Sequence, residues 1–248
     1  MRNTEHFLLL VWLLITGLVV MGTYVLVDQG LMGYLIATDR SYVSIIVMAM
    51  YVVGLGHSLT RTWHLSCELN WTAQVEQMLK SQAGAPIRVA DEDLMCGTSP
   101  LPHGFLHAYV MDLIKSCRDP NSTIDVAEAG ADLLDAHSVK WRGENEFGWF
   151  LIDLMLKVGF LGTLVGFIWM LGSVSQHPVV DASSMQVILR EMSFGMSTAL
   201  NTTLSSLVGG ILLSLPYYVL GRGLEELIET TLRLARVEIL PRLTASNH

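Results

Sequence analysis

The chain has 248 residues, 51% of them hydrophobic and only 15% charged, with a formal net charge of -8. Soluble domains carry roughly a quarter charged residues, so this composition points to a membrane, and the acidic balance excludes a nucleic-acid binder, which needs a basic surface. Cys67, Cys96 and Cys117 form neither a disulfide framework nor a zinc pattern and read as reduced cytosolic thiols.

Phe7 to Val27 is free of charge and long enough to cross a hydrocarbon core of about 30 Å. It is longer than the apolar core of a signal peptide, and no small-residue cleavage site precedes Asp28. Ser41 to Gly56 is a second uncharged run, which His57 to Thr60 lengthens; it reads as a return span rather than an interfacial segment. In the hydrophilic stretch that follows, Thr62 to Ser81 and Gly104 to Arg118 read as helices, and Gln82 to His103, rich in Pro, Gly and Asp, as loop. Asp119-Pro120-Asn121 marks a turn, after which Ser122 or Thr123 caps a helix that starts near Asp125 and leads through Trp141 into the third span. That span, Phe147 to Leu171, is interrupted by Asp153 and Lys157; the fourth, Met196 to Leu220, carries Pro216 near its end. Leu224, Leu227, Ile228, Thr231, Leu232, Ala235 and Ile239 recur at helical spacing and predict an amphipathic helical tail.

Charge placement orients these spans. Twelve Lys and Arg residues fall on one side: Arg2, seven in 58–146 and four in the tail. Only Arg40 and Arg190 fall in the 28–40 and 172–195 loops, so the first side is cytoplasmic. The expectation is an all-α, four-span membrane protein with long helices extending into the cytoplasm. Its parts are an N-terminal transmembrane pair (1–57), a cytoplasmic helical segment (58–146), a second transmembrane pair (147–220) and a cytoplasmic C-terminal helix (221–248).

Two stretches carry more specific information. Gly159, Gly162 and Gly166 form a small-residue ridge that lets another helix approach closely, with Thr163 between the last two. Asn201, Thr202, Thr203, Ser205 and Ser206 put five polar side chains into one part of the fourth span. At about 100° per residue, Thr203 and Ser206 share a face with Gly210, Thr202 and Ser206 share one with Gly209, and Asn201 and Ser205 share a third. Polarity spread so widely does not suit lipid: the helix is enclosed by protein or lines water, as packing glue or as a pore wall. Asp153 is the only carboxylate inside a span and has Lys157 four residues on, the spacing of a structural ion pair.

The stretch from Lys157 to Leu171, with its Gly-x-x-Gly-Thr-x-x-Gly run at 159–166, resembles the third span of the MotA/TolQ/ExbB family, and Gly195 to Leu204, with Ala-Leu-x-Thr-Thr at 199–203, resembles that family's next span. Four spans and the position of Pro216 are closer to the MotA/PomA branch; Leu156 and Lys157 stand where family members carry a proline. The resemblance implies a homopentamer in the bacterial inner membrane around a dimer of a single-span MotB/TolR/ExbD-like partner. The partner would carry the essential membrane aspartate, and H+ or Na+ flow would drive mechanical work, such as rotation. It also implies that Thr163 and Thr203 line the ion path; Thr202 and Ser206 belong to the same polar wall. The expected chain has no catalytic residues, metal or cofactor, since its histidines (His103, His107 and His137 among them) stand at no metal-ligand spacing. A non-conducting four-span scaffold is the alternative. Which process would be driven, and by which ion, the sequence leaves open.

Overall fold

The computed structural model describes residues 7–28, 30, 33, 41–81, 87–90, 93–96, 99–118, 126–175 and 182–245. The turn at Asp119–Asn121, the capping Ser122 and Thr123, and Arg40 lie outside the described residues, as do the side chains of Cys96 and Cys117; Cys67 is a free thiol. In chain order the elements are α1 (Phe7–Asp28), α2 (Val43–Ser81), β1 (Ile87–Ala90), β2 (Asp93–Cys96), β3 (Ser99–Pro100), α3 (Phe105–Arg118), α4 (Val126–Ser175), α5 (Ala182–Leu234), a π turn (Ala235–Ile239) and α6 (Leu240–Ala245). The described residues are mostly helical, with one small sheet. Helices α2, α4 and α5 are each long and apolar enough to cross a membrane, the makeup of a multi-pass membrane protein. The apolar stretch described in α1, Leu10–Gly22, is shorter.

Two differences from the sequence expectation, in α2 and α5, share one cause. Helix α2 runs unbroken over 39 residues, with no boundary between span and cytoplasmic helix. Helix α4, a single helix of 50 residues from Val126, instead agrees with the helix expected to lead from near Asp125 through Trp141 into the third span. Helix α5 starts at Ala182, inside the expected 172–195 loop, and runs for 53 residues. Charged residues such as Arg61, Arg190 and Glu191 end an apolar window, but they are good helix formers and do not end a helix.

The expected loop at 82–103 contains an antiparallel meander in the order β1-β2-β3, with Ile87 opposite Cys96, Ala90 opposite Asp93 and Met95 opposite Pro100. Ile87 and Leu94 are almost fully buried, which is what so short a sheet needs to persist. Pro100 sits in the edge strand, where a missing N–H is tolerated.

The described chain divides into two compact units. The first, residues 1–11, 60–145 and 219–248, has a leucine-rich core that includes Leu65, Leu79, Leu113, Leu227 and Leu234. Helices in this unit are joined by ion pairs: Arg61 with Glu144, Arg233 with Glu76 (3.0 Å), and Arg142 with Glu225 (3.4 Å). Arg61 also lies over the Trp141 ring, 5.0 Å from its centroid. Tyr109 donates to the Gly130 carbonyl (2.9 Å), and Phe105 meets His137 and Trp141 edge-on. Near the end of the chain, Leu240 N–H bonds to the Ala235 carbonyl across the π turn. The wide turn lies directly before Pro241, which brings no N–H to the helix ladder.

The second unit, residues 12–59 and 146–218, is held by close helix contacts. Trp12 Nε1 donates to Ser58 Oγ (3.3 Å), and Gly54 is covered by Leu213 and Leu151. Pro216 stands buried inside α5 and leaves the carbonyl one turn earlier without its helical donor.

Candidate functional site

In the second unit, α4 and α5 lie antiparallel along a seam of small residues. A Cβ on Gly166 would stand 2.7 Å from the Gly195 carbonyl oxygen and 2.8 Å from Ala199 Cβ. On Gly162 it would stand 2.7 Å from Thr202 Cβ and Oγ1, and on Gly159 it would overlap Ser206. Real Cβ atoms do not come so close, so each of these positions requires glycine as long as the helices keep this spacing. The contacts shift along α5 as they shift back along α4: 166 with 195 and 199, 162 with 202, 159 with 206. Gly210 continues the pattern more loosely: a Cβ there would stand 3.2 Å from Leu156 Cδ2.

Thr202 is fully buried and Ser206 is 2% exposed. Thr202 Oγ1 donates to the Ala199 carbonyl (3.0 Å) and Ser206 Oγ to the Thr203 carbonyl (3.0 Å). Within one chain these two residues are therefore packing residues seated on the glycine ridge. The polar character of this face serves close approach, because a small hydroxyl that satisfies itself on its own helix can sit in an apolar seam.

Thr163 and Thr203 sit differently. Both are half-buried. Gly162 and Thr202 face each other, so the next residue on each helix steps about 1.5 Å in opposite directions, leaving Thr163 and Thr203 about 3 Å apart in level. In an antiparallel pair of right-handed helices, one residue past a facing position turns to the same flank on both. The two threonines thus share one flank of the seam, about 3 Å apart in depth. Thr163 Oγ1 donates to the Phe160 carbonyl (2.6 Å) and Thr203 Oγ1 to the Ala199 carbonyl (3.2 Å). With its proton committed to the backbone, each hydroxyl presents lone pairs outward and acts as an acceptor. Such a pair suits a cation or a water better than an anion.

Asp153 and Lys157 lie elsewhere on α4. Lys157 Nζ is 2.5 Å from Asp153 Oδ2, and the two side chains are 70% and 56% exposed. Lys157 stands nine residues before Gly166, about half a turn away at 100° per residue, so the pair points away from the glycine seam. A lone charge at the centre of a span costs about 2.5–3.5 kcal/mol on insertion scales, and pairing at i,i+4 offsets part of it.

A cluster at 54, 57, 148 and 217 carries no motif in the sequence. The ring of Tyr217, fully buried, occupies the space a side chain on Gly148 would need. Tyr217 Oη donates to the Gly54 carbonyl (3.2 Å) and lies 2.7 Å from His57 Nδ1. One phenolic proton cannot serve both partners. With it on Gly54, His57 must donate from Nδ1, which sets its tautomer. Phe147 closes over His57 edge-on, with centroids 5.2 Å apart. The bulky residues around Gly148 hint at a tight contact, but no local spacing links 57 to 217.

Among the described residues no three His, Cys, Asp or Glu side chains gather to hold a metal ion. His103 and His107 stack edge to face (4.6 Å), and His137 Nε2 is bonded to Asp112 Oδ2 (3.0 Å). No known protein family, no curated protein and no solved structure matches the chain.

Proposed function

We propose that the chain is an energy-coupling subunit of the MotA/TolQ/ExbB type. In this reading it crosses the bacterial inner membrane four times, α1 included, with both termini in the cytoplasm. It assembles as a homopentamer around a dimer of a single-span MotB/TolR/ExbD-like partner and couples H+ or Na+ flow to mechanical work. The observation that carries the proposal is the placing of Thr163 and Thr203 on one flank of the α4–α5 seam, half-buried and offering acceptor oxygens about 3 Å apart in level. Oxygen lone pairs can replace part of a cation's hydration or hold the water that relays its proton, without titrating. The carboxylate of such a path would come from the partner, because Asp153 is tied to Lys157 and faces away from the seam.

The test co-expresses the chain with its single-span partner and measures ion flux in membrane vesicles. Thr163→Val and Thr203→Val keep shape and remove the acceptor. Complex formation should stay normal while flux falls by roughly tenfold, as expected for losing about 1.4 kcal/mol at a barrier. Full flux in both single variants and in the double would remove these residues from the path.

One observation favours the non-conducting scaffold. The hydroxyls of Thr163, Thr202, Thr203 and Ser206 all donate to carbonyls of their own helices, as packing residues do. A scaffold would lose nothing measurable in the threonine variants and would conduct no ions with any partner.

A further inference from the structure

Four exposed aromatic side chains of the second unit fall at two levels of the α4–α5 pair. Trp149 and Tyr218 mark one level, Trp169 and Phe194 the other, and each is between 42% and 56% exposed. The contacts along the seam fix these levels. Tyr217 packs on Gly148, and Gly195 packs on the Met170 backbone. One step from each facing pair, Trp149 and Tyr218 lie about 3 Å apart in level, and so do Trp169 and Phe194, with the α5 residue outermost both times. Trp149 and Trp169 are 20 residues apart, about 30 Å of helix, and Phe194 and Tyr218 are 24 apart, about 36 Å. The hydrocarbon core of a bilayer is about 30 Å thick.

The charges respect the same levels. Between them α5 carries none, and α4 only Asp153 and Lys157, bonded to each other. Four residues outside each α5 aromatic stands an exposed arginine, Arg190 before Phe194 and Arg222 after Tyr218. Arg190 Cζ lies 5.7 Å from the Phe194 ring centroid. The two arginines are 32 residues apart on one continuous helix, about 48 Å, close to the roughly 40–45 Å that a bilayer spans with its headgroups. Trp and Tyr favour that boundary, because the ring body suits the acyl chains and the N–H or O–H suits the headgroups. We propose that the two aromatic bands sit in the two headgroup layers of a lipid bilayer, with Arg190 and Arg222 at the level of the lipid phosphates. A covering protein helix would account for one exposed ring, but not for two levels one hydrocarbon thickness apart with the arginines just beyond them. At this depth Thr163 lies about 9 Å inside the Trp169 band, and α5 runs about 18 Å past Phe194 to Ala182, so that residues 182–189 stand clear of the headgroups. The proposal rests on the membrane placement given above and not on ion conduction.

Depth measurements on the full chain in phosphatidylcholine vesicles test this. Phe150→Cys, Phe160→Cys, Ile168→Cys and Gln186→Cys each replace an exposed side chain, one at a time, in a chain whose Cys67, Cys96 and Cys117 are changed to Ser. A nitroxide on each cysteine is relaxed by oxygen where lipid surrounds it and by a water-soluble nickel complex where water does. Phe160 stands about 13–17 Å from both bands, so its label should be the deepest, rich in oxygen and poor in nickel contact. Labels at Phe150 and Ile168 should lie about 12–15 Å shallower, one toward each surface, and the label at Gln186 should be in water. Three results would overturn the placement. A profile deepest at Phe150 or at Ile168 puts the bilayer off the bands by several turns. A Phe160 label open to nickel faces water. A Phe160 label shielded from both reagents is covered by protein, which removes lipid as the occupant. Ion flux is read separately: a chain that sits at this depth and passes no ions keeps the bands and loses the ion path, and a displaced profile with normal flux does the reverse.

Discussion

The two units of this chain hold their helices together in opposite ways. In residues 60–145 and 219–248, large side chains make the core and charged ones join the helices: Leu227 and Leu234 are essentially buried, and Arg233, Arg142 and Arg61 each reach a glutamate on another helix. In residues 12–59 and 146–218, the joining residues are the smallest available: Gly159, Gly162 and Gly166 against Ser206, Thr202, Ala199 and Gly195. The difference follows from the solvent each mode suits. Where water surrounds the helices, burying leucine removes apolar surface from it, and exposed ion pairs are harmless. Where lipid surrounds them, apolar burial gains little; contact must come from close backbone approach, with every polar group satisfied locally.

The comparison predicts that the two units fail to opposite substitutions. Cutting a large side chain should do most harm in the first unit: Leu227→Ala should cost about 2–5 kcal/mol, read as a loss of thermal stability in detergent. Enlarging a small one should do most harm in the second: Gly166→Leu, which must displace the Gly195 backbone, should cost about 1–3 kcal/mol or more. If Gly166→Leu were tolerated while Leu227→Ala unfolded both units together, the seam would not be holding α4 to α5.

A smaller effect is expected at Tyr217. Changing Tyr217 to Phe keeps the ring against Gly148 but strips the hydroxyl from His57 and Gly54. The expected cost is about 1–3 kcal/mol, from buried polar groups left without this partner. Nitrogen NMR of His57 should report a change in its tautomer or protonation; an unchanged His57 spectrum would show that Tyr217 does not set it.

The smallest effects concern two glutamates of α2 in the first unit, and they differ in sign. Hydrogen bonds from Lys80 and Arg233 hold Glu76 below the usual carboxylate range, so its contribution is present above the ordinary pKa and lost as pH falls through the lowered one. Burial pushes Glu68 up, opposed by the Phe105 N–H (2.8 Å) and the charge of His64, so its contribution is full below the ordinary pKa and lost as pH rises through the raised one. Glu76→Gln should lower stability at neutral pH by about 0.2–1 kcal/mol, the range of partly exposed ion pairs. Glu68→Gln should hold or raise it. Stability curves between acid and neutral pH that move in the same direction for both variants would contradict this assignment.

Apolar runs located the three helices long and apolar enough to cross a membrane and the shorter α1, because hydrophobicity and helical length are properties of a continuous stretch. Helix ends were misplaced where a charge closed the apolar run: Arg190 and Glu191 hid the first part of α5, and Arg61 hid the continuity of α2. The meander escaped because four-residue strands such as Ile87–Ala90 leave too little pattern among turn-forming neighbours. At the site, spacing along α4 located the glycines, but what each one meets depends on the register against α5, which no single segment contains. That is why Thr202 and Ser206 looked like wall residues beside Thr203 and are seated instead on Gly162 and Gly159. The His57–Tyr217 contact joins residues 160 positions apart and left no local signal.

The register of the seam also bears on how the chain assembles. Gly166 and Gly195 are 29 positions apart, whereas Gly148 and Tyr217 at the other end are 69 apart. Closing the shorter loop first saves about 0.8 kcal/mol of chain entropy. The tightest backbone contact of the hairpin is thus also the one with the least chain to gather, so the seam zips from Gly166 and Gly195 toward Tyr217, and each glycine passed lets the next turn of helix come into contact.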